Sequence, residues 1–388
     1  MSEYQYYEFQ AVDRPLSKAE MAELRALTSR ATITPSLLRN VYQWGSFKGN
    51  PAQLIEKYFD AFLYEANWGT RQLMLRLPRR LLDLGVAQQY CVHGRLDVRA
   101  SGEFVVVDFL SSDEDGGGGW IDQIDSEAWL PSLLPLRTEL GGGDLRSLYL
   151  GWLAAVASGY VDEGETEPPV PAGLGSLSAP LQTLAEFLEI DHHLVAIAAE
   201  RSEAREEWQP LGREVEQWIA SLAVRDKDAF LLRVLNEGGQ HLQAELQRRF
   251  RQERAPRHPT TGSRHPDRTV QQLLAAAEER AKAEQRAKEE REAQERARRQ
   301  REEAIARAKQ LDGLVGREEE LWRQIETLVE VKRAAEYDEA IQLLKDLHDL
   351  AARAGASNAF RARAADLRAR HTRKPSFVAR IDEAGLGL

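Results

Sequence analysis

YCVHGRLDVRASGEFVVVDF, residues 90–109, is the stretch on which the fold class turns. A first run from Tyr90 to Arg99 meets the short turn Ala100-Ser101-Gly102, and a β-branched run from Glu103 through Val105, Val106 and Val107 to Phe109 follows. Two such runs joined by a glycine-containing turn read as an antiparallel hairpin. Upstream, Leu73, Leu75 and Leu77 alternate with Gln72, Met74 and Arg76, the period of two of a half-buried strand. A small antiparallel sheet is therefore expected, and the sequence on either side supplies helices to pack on it.

Ser17 stands three residues before Glu20, ahead of Met21, Leu24 and Leu27, which is a capping box opening an amphipathic helix. Asn50-Pro51 starts a second helix, and Leu54, Ile55, Tyr58, Phe59, Phe62 and Leu63 continue its apolar face. Asp144, after three glycines, caps a third, which runs through Leu148, Trp152 and Val156 to Gly159. Residues 1–160 are thus expected to form one α+β domain.

Beyond it the pattern is helical. Residues 161–175, acidic and carrying Pro168, Pro169 and Pro171, read as a linker with too little apolar content to fold. Apolar residues at helical spacing from Leu181 to Leu235 predict a bundle of short helices over 176–252. A basic, proline-rich linker over 253–268 follows.

Residues 269–312 are rich in Ala, Glu, Arg, Lys and Gln and predict one long charged helix of roughly 60 Å at about 1.5 Å per residue. Glu278–Lys282, Glu284–Lys288, Glu292–Arg296, Glu295–Arg299 and Glu303–Arg307 all place the acid four residues before the base, the favourable orientation. Between Ala275 and Ala304 the seam offers alanine without sustained Leu, Ile or Val heptads, so a solvated helix with at most weak self-association is expected. Leu321, Trp322, Ile325, Leu328 and Val329, followed by the Tyr337–Leu344 pattern, predict an αα-hairpin over 313–372. Its second helix resembles that of a tetratricopeptide repeat, whose Tyr and Ala pack on the preceding helix. A tail, 373–388, closes the chain. The fold class expected is mainly α with an α+β N-terminal domain.

The 388 residues include 43% hydrophobic and 29% charged side chains, with a mean hydropathy of -0.50, enough for packed cores under an extensive solvated surface. The longest apolar run, Leu148 to Val161, is shorter than the roughly 20 residues a membrane span requires. The opening MSEYQYYEFQ has neither a basic region nor an apolar stretch, so a cytoplasmic address and no membrane partner are expected. The net charge of -10 is concentrated: residues 101–200 alone carry -16. Cys91, the single cysteine, excludes an intramolecular disulfide and a cysteine zinc site, and reads as a half-buried strand residue.

The carboxylate- and glycine-rich stretch from Asp113 to Asp125 suggests calcium. An EF-hand register begun at Asp113 places Ile124 where the bidentate glutamate belongs, so it reads as an acidic loop. Asp191-His192-His193 has metal-ligand chemistry without a second Asp/His cluster nearby in sequence, and reads as helix surface. No P-loop, Gly-x-Ser-x-Gly elbow, His-Glu-x-x-His helix or kinase signature is present, so no catalytic, cofactor or metal residues are assigned. Asp108, His93 and Glu103 on the hairpin are available to a site built from remote residues. One basic patch, Arg248, Arg249, Arg251, Arg254, Arg257, Arg264 and Arg268 with His258 and His265, has the chemistry of phosphate contacts.

YYEFQAVDRPLS, YFDAFLYEANWGTRQLMLRLPRRLL and KPSFVARIDEAGL resemble stretches of a family of uncharacterised bacterial cytoplasmic proteins with no established activity. The resemblance implies a bacterial cytoplasmic setting and assigns no site. The function expected is a non-catalytic scaffold or adaptor that engages protein partners through its folded parts. The alternative is a nucleic-acid-associated accessory protein acting with a helicase or nuclease through the arginine patch.

Overall fold

A computed structural model describes residues 4–112, 126–204, 212–237, 242, 245–246, 249–250, 253 and 267–386. The chain divides into two compact units, Met1–Ala283 and Glu284–Leu388.

The first unit is built on one seven-stranded antiparallel sheet: β1 Gln5–Gln10, β2 Thr32–Ile33, β3 Leu37–Tyr42, β4 Ala61–Ala66, β5 Arg71–Pro78, β6 Leu96–Ser101 and β7 Phe104–Ser111, in the order β2-β3-β1-β4-β5-β7-β6. The expected hairpin is β6 and β7, paired Val98 to Val107 and Ser101 to Phe104. Its first strand is shorter than expected, because Gln88–Tyr90 forms a turn of 3₁₀ helix. The sheet is larger than the small one foreseen. β1 and β4 sit inside it, where both faces are covered and alternation is lost.

Alternate residues point to opposite faces. Tyr6, Leu63, Leu73, Leu75, Val107 and Phe109 contribute to one core, whereas Tyr7, Phe9, Leu38, Phe62, Met74 and Val106 contribute to another. The second core also takes Leu24 from the Lys18–Leu27 helix, whose Ser17/Glu20 capping box is formed, and Leu54 and Ile55 from the Pro51–Lys57 helix. That latter helix stops early: the apolar stripe that continues to Leu63 in sequence passes at Ala61 into β4. Asp60 marks the break. Its carboxylate is buried and accepts hydrogen bonds from the Val12 and Asp13 amides at 2.7 and 2.8 Å and from the Arg76 guanidinium at 2.8 Å.

The other face carries the Arg146–Ala157 helix, buried along nearly its whole length and closed by Gly159 at φ +73°. Gly151 lets it approach closely, since a Cβ there would lie 2.9 Å from the Phe109 ring. Residues 161–175 do not behave as a free linker. Val161 and Leu174 are buried in the same core, and Arg146 donates to the Gly173 and Ser176 carbonyls at 2.9 and 3.0 Å. The helices expected as one bundle divide between two cores. Ala179–Phe187 and His192–Ala199 pack with the sheet, while Trp218 of the Gly212–Ser221 helix packs with Leu222 and Phe250 in a separate cluster.

The long helix runs Val270–Asp312. Its start belongs to the first unit, with Val270, Leu273 and Ala277 buried in the sheet core, and every residue from 282 to 306 is exposed. Two of the expected ion pairs, Glu278–Lys282 and Glu295–Arg299, are formed at 2.7 Å. Arg307 instead pairs with Asp346 and Asp349 of the second unit's central helix.

That unit contains Glu318–Val331, Ala334–Arg353, Ser357–Arg370 and Pro375–Glu383. Ile325, Val329, Ala340, Leu344, Ala364, Leu367, Phe377 and Ile381 share one core. Tyr337 and Ala340 are buried, as the repeat-like pattern predicts. The segment expected as a tail is part of this core, because Phe377 and Ile381 lie four apart on the last helix and both face inward. No helix among the described residues is long and apolar enough to cross a membrane.

Candidate functional site

The site with the most developed geometry is a groove of about 640 Å³ in the first unit, between the Ala179–Phe187 and His192–Ala199 helices. Each helix buries one face and leaves another. Leu181, Leu184 and Phe187 of the first, and Leu194, Ile197 and Ala198 of the second, are buried. The faces left over are Gln182, Ala185, Glu186 and Glu189 on one side and His192, Val195, Ala196 and Ala199 on the other. Gln182, Ala185 and Glu186 fall at i, i+3 and i+4 of the first helix, with Glu189 following in its closing turn, and the second set falls at i, i+3, i+4 and i+7, one stripe of a helix surface. Leu174, Leu177 and Ile190 add apolar lining, and Arg280 stands at the edge from the start of the long helix.

The turn between the two helices fixes their relation. Glu189 is left-handed at φ 56°, and the Ile190 amide donates to the Ala185 carbonyl while the Glu189 amide donates to that of Glu186, a Schellman closure. Asp191 then caps the second helix by accepting from the His193 amide at 2.8 Å. Beneath them Arg71 of β5 donates to the Phe187 carbonyl and to the Glu189 carboxylate at 2.7 Å, and it pairs with the buried Glu65 on β4 at 3.1 Å.

The rim is acidic. Glu186, Glu189 and Glu200 are exposed around the groove, against one exposed guanidinium, Arg280, which pairs with Glu200 at 3.3 Å. Apolar lining inside an acidic rim suits an apolar surface flanked by positive charge.

Asp191, His192 and His193 bring one ligand atom each within 4.8 Å of one another, and the imidazole rings are 3.9 Å apart. The residue types suit a divalent transition metal. The three are nevertheless consecutive at a helix N-terminus, where the dipole favours anions, and Asp191 Oδ1 is already engaged by the His193 amide. We assign Asp191 a capping role; His192 is on the surface and His193 is buried with the helix.

Of the seven arginines of the basic patch, Arg248, Arg251, Arg254, Arg257 and Arg264 lie outside the described residues, as do His258 and His265. Arg249 pairs with Asp226 at 2.7 Å and Glu253 at 2.8 Å. Arg268 is in the interior. Its guanidinium donates to Glu167 at 2.8 and 2.6 Å and to the Ile197 carbonyl at 3.1 Å, while the Tyr149 hydroxyl donates to the same carboxylate. Burial beside Glu167 holds that phenol well above its usual range. Arg268 therefore closes the fold and is not presented to a phosphate, a correction to its place in the patch. Charge alone in a proline-rich stretch gave no sign of the carboxylate waiting for it 101 residues earlier.

The stretch Asp113–Asp125 lies outside the described residues. On the hairpin, Asp108 accepts from Gln72 at 2.8 Å and stands 3.6 Å from Arg99; burial pushes its carboxyl up. His93 and Glu103 are exposed in turns. Cys91 is half-buried, and burial raises its thiol.

Sequence reasoning passed over the charges inside the sheet. Glu8 on β1 pairs with Arg39 on β3 and accepts from the Tyr6 hydroxyl, Glu65 accepts from Ser126 at 2.7 Å, and Arg137 joins Asp13 to the Asp60–Arg76 pair. The signal was a lone charge within an apolar run, as in Tyr7-Glu8-Phe9 or Leu75-Arg76-Leu77. Comparison of the chain with protein-family models, curated proteins and solved structures finds no match.

Proposed function

We propose that the chain is a non-catalytic adaptor that mediates protein–protein interaction in the bacterial cytoplasm. The observation that carries this reading is that two separately cored units are joined in the chain by one uninterrupted 43-residue helix. Its residues from 282 to 306, exposed on every side, contribute little to either core, and their charges keep the stretch helical in water. The acidic-rimmed groove gives the first unit a surface suited to a partner. The buried charges at Glu8, Asp60, Glu65 and Glu167 each pair with an arginine from a different segment of the chain, which is a structural employment.

The test is affinity purification of the full-length chain from its native host, with and without nuclease, followed by identification of what accompanies it. A stable protein partner that survives nuclease supports the adaptor. Partners lost with nuclease move the reading to the nucleic-acid alternative, and a robust activity abolished by one substitution removes it.

A further inference from the structure

We propose that the groove between the Ala179–Phe187 and His192–Ala199 helices receives an amphipathic helix of a partner protein with lysine or arginine flanking its apolar stripe. The inference rests on the adaptor reading and names the partner class for its first unit.

Three features select this occupant. The first is shape. Two helix faces, one a stripe at i, i+3 and i+4 and the other at i, i+3, i+4 and i+7, form the pattern of ridges into which a third helix packs. Ala185, Ala196 and Ala199 at the contact are small enough to admit an axis at the 8–10 Å spacing of packed helices.

The second is backbone chemistry. Most of the lining comes from two helices whose own amides and carbonyls are largely paired within them, so an extended peptide would find no strand edge to join. A helix satisfies its own backbone and needs only side-chain packing.

The third is charge. Glu186, Glu189 and Glu200 surround the apolar lining, with Arg280 the opposing guanidinium at the edge. This favours a basic flank, repels a phosphate backbone and makes an acidic helix a poor fit.

The experiment titrates the full-length chain into a fluorescein-labelled 15-residue helical peptide of leucine and lysine, with the leucine/glutamate peptide of the same pattern as control, and reads anisotropy at two salt concentrations. The leucine/lysine peptide is expected to bind, more weakly at high salt, and the control not to bind. Ala196→Trp, which fills the groove, should weaken binding at least tenfold, and Glu186→Lys, at an exposed rim position, severalfold. Circular dichroism verifies that each variant folds; if Ala196→Trp does not, Glu186→Lys decides.

No binding, equal binding of both peptides, or binding unchanged by the variants would overturn the proposal. Its failure is distinguishable from that of the adaptor reading. A native partner captured equally by the parent chain and the Glu186→Lys and Ala196→Trp variants sinks the groove and leaves the adaptor standing. Groove-dependent peptide binding with no native protein partner does the reverse.

Discussion

Arg71 on β5 reaches out of the sheet to the carboxylate of Glu189, 2.7 Å away, at the turn that sets the two groove helices side by side. Glu189 sits at φ 56°, in a region where glycine is the usual helix-closing residue. The ion pair thus accompanies a backbone strain of order 1 kcal/mol.

The two contributions separate by substitution. Glu189→Ala keeps the strain and loses the pair, whereas Glu189→Gly loses the pair and relieves the strain, so the glycine variant should be the more stable of the two by about 1 kcal/mol. Arg71→Ala is expected to be far worse, about 3 kcal/mol or more, because it strands the buried Glu65 without its cation. Urea unfolding of the three variants checks the order. An alanine variant as stable as the glycine variant would mean that the left-handed turn carries no strain.

How much of this was legible in the sequence depends on what each residue has on its two sides. β5 and the β6–β7 hairpin were readable from alternation or β-branched content. β1 and β4 were not, because Tyr6 and Tyr7, or Phe62 and Leu63, are buried on opposite faces and leave no polar beat. The Leu54–Leu63 stripe fits a helix at every position, yet the helix ends at Lys57, and the buried Asp60, bound to the Val12 and Asp13 amides, stands at the break before β4. The groove helices were legible one at a time. Their shared concave side depends on the left-handed Glu189 and on Arg71, 118 residues away, which no local pattern encodes.

Arg268 offers a prediction that separates charge from function. If its role is to neutralise the buried Glu167, Arg268→Met should destabilise the first unit by about 3–5 kcal/mol. Adding Glu167→Gln should recover part of that loss, since the uncompensated charge is then gone. Urea unfolding of the two single variants and the double variant measures the coupling, and strictly additive costs would remove the assignment.

The capping box at the start of the Lys18–Leu27 helix sets a pH dependence. Hydrogen bonds from the Arg14 guanidinium, then from the Ser17 amide, hold the Glu20 carboxyl down at about 2, below the roughly 4.3 of an unfolded chain. A depressed folded value contributes stability that is present above the unfolded value and lost as pH falls through the folded one. Glu20→Gln should therefore be less stable than the parent at pH 7, with the difference shrinking below about pH 5 toward pH 2. Chemical denaturation across that range reads it, and a difference independent of pH would show that the carboxylate's charge is not what the cap uses.

Gly151 tests how closely the Arg146–Ala157 helix rides on the sheet. In an exposed helix interior Gly→Ala is worth about 1 kcal/mol of stabilisation. Here the added methyl would stand 2.9 Å from the Phe109 ring and 3.1 Å from Leu96, both fully buried in the sheet core, so helix and sheet must separate or Phe109 must leave its rotamer. Overpacking of this kind costs about 1–3 kcal/mol, which outweighs the propensity gain or at best cancels it. Gly151→Ala should leave the thermal midpoint unchanged or lower it, and pairing it with Phe109→Leu, which vacates the ring's volume, should restore part of any loss. A Gly151→Ala chain more stable than its parent would show that the helix has room to rise, and that the glycine does not set the spacing between helix and sheet.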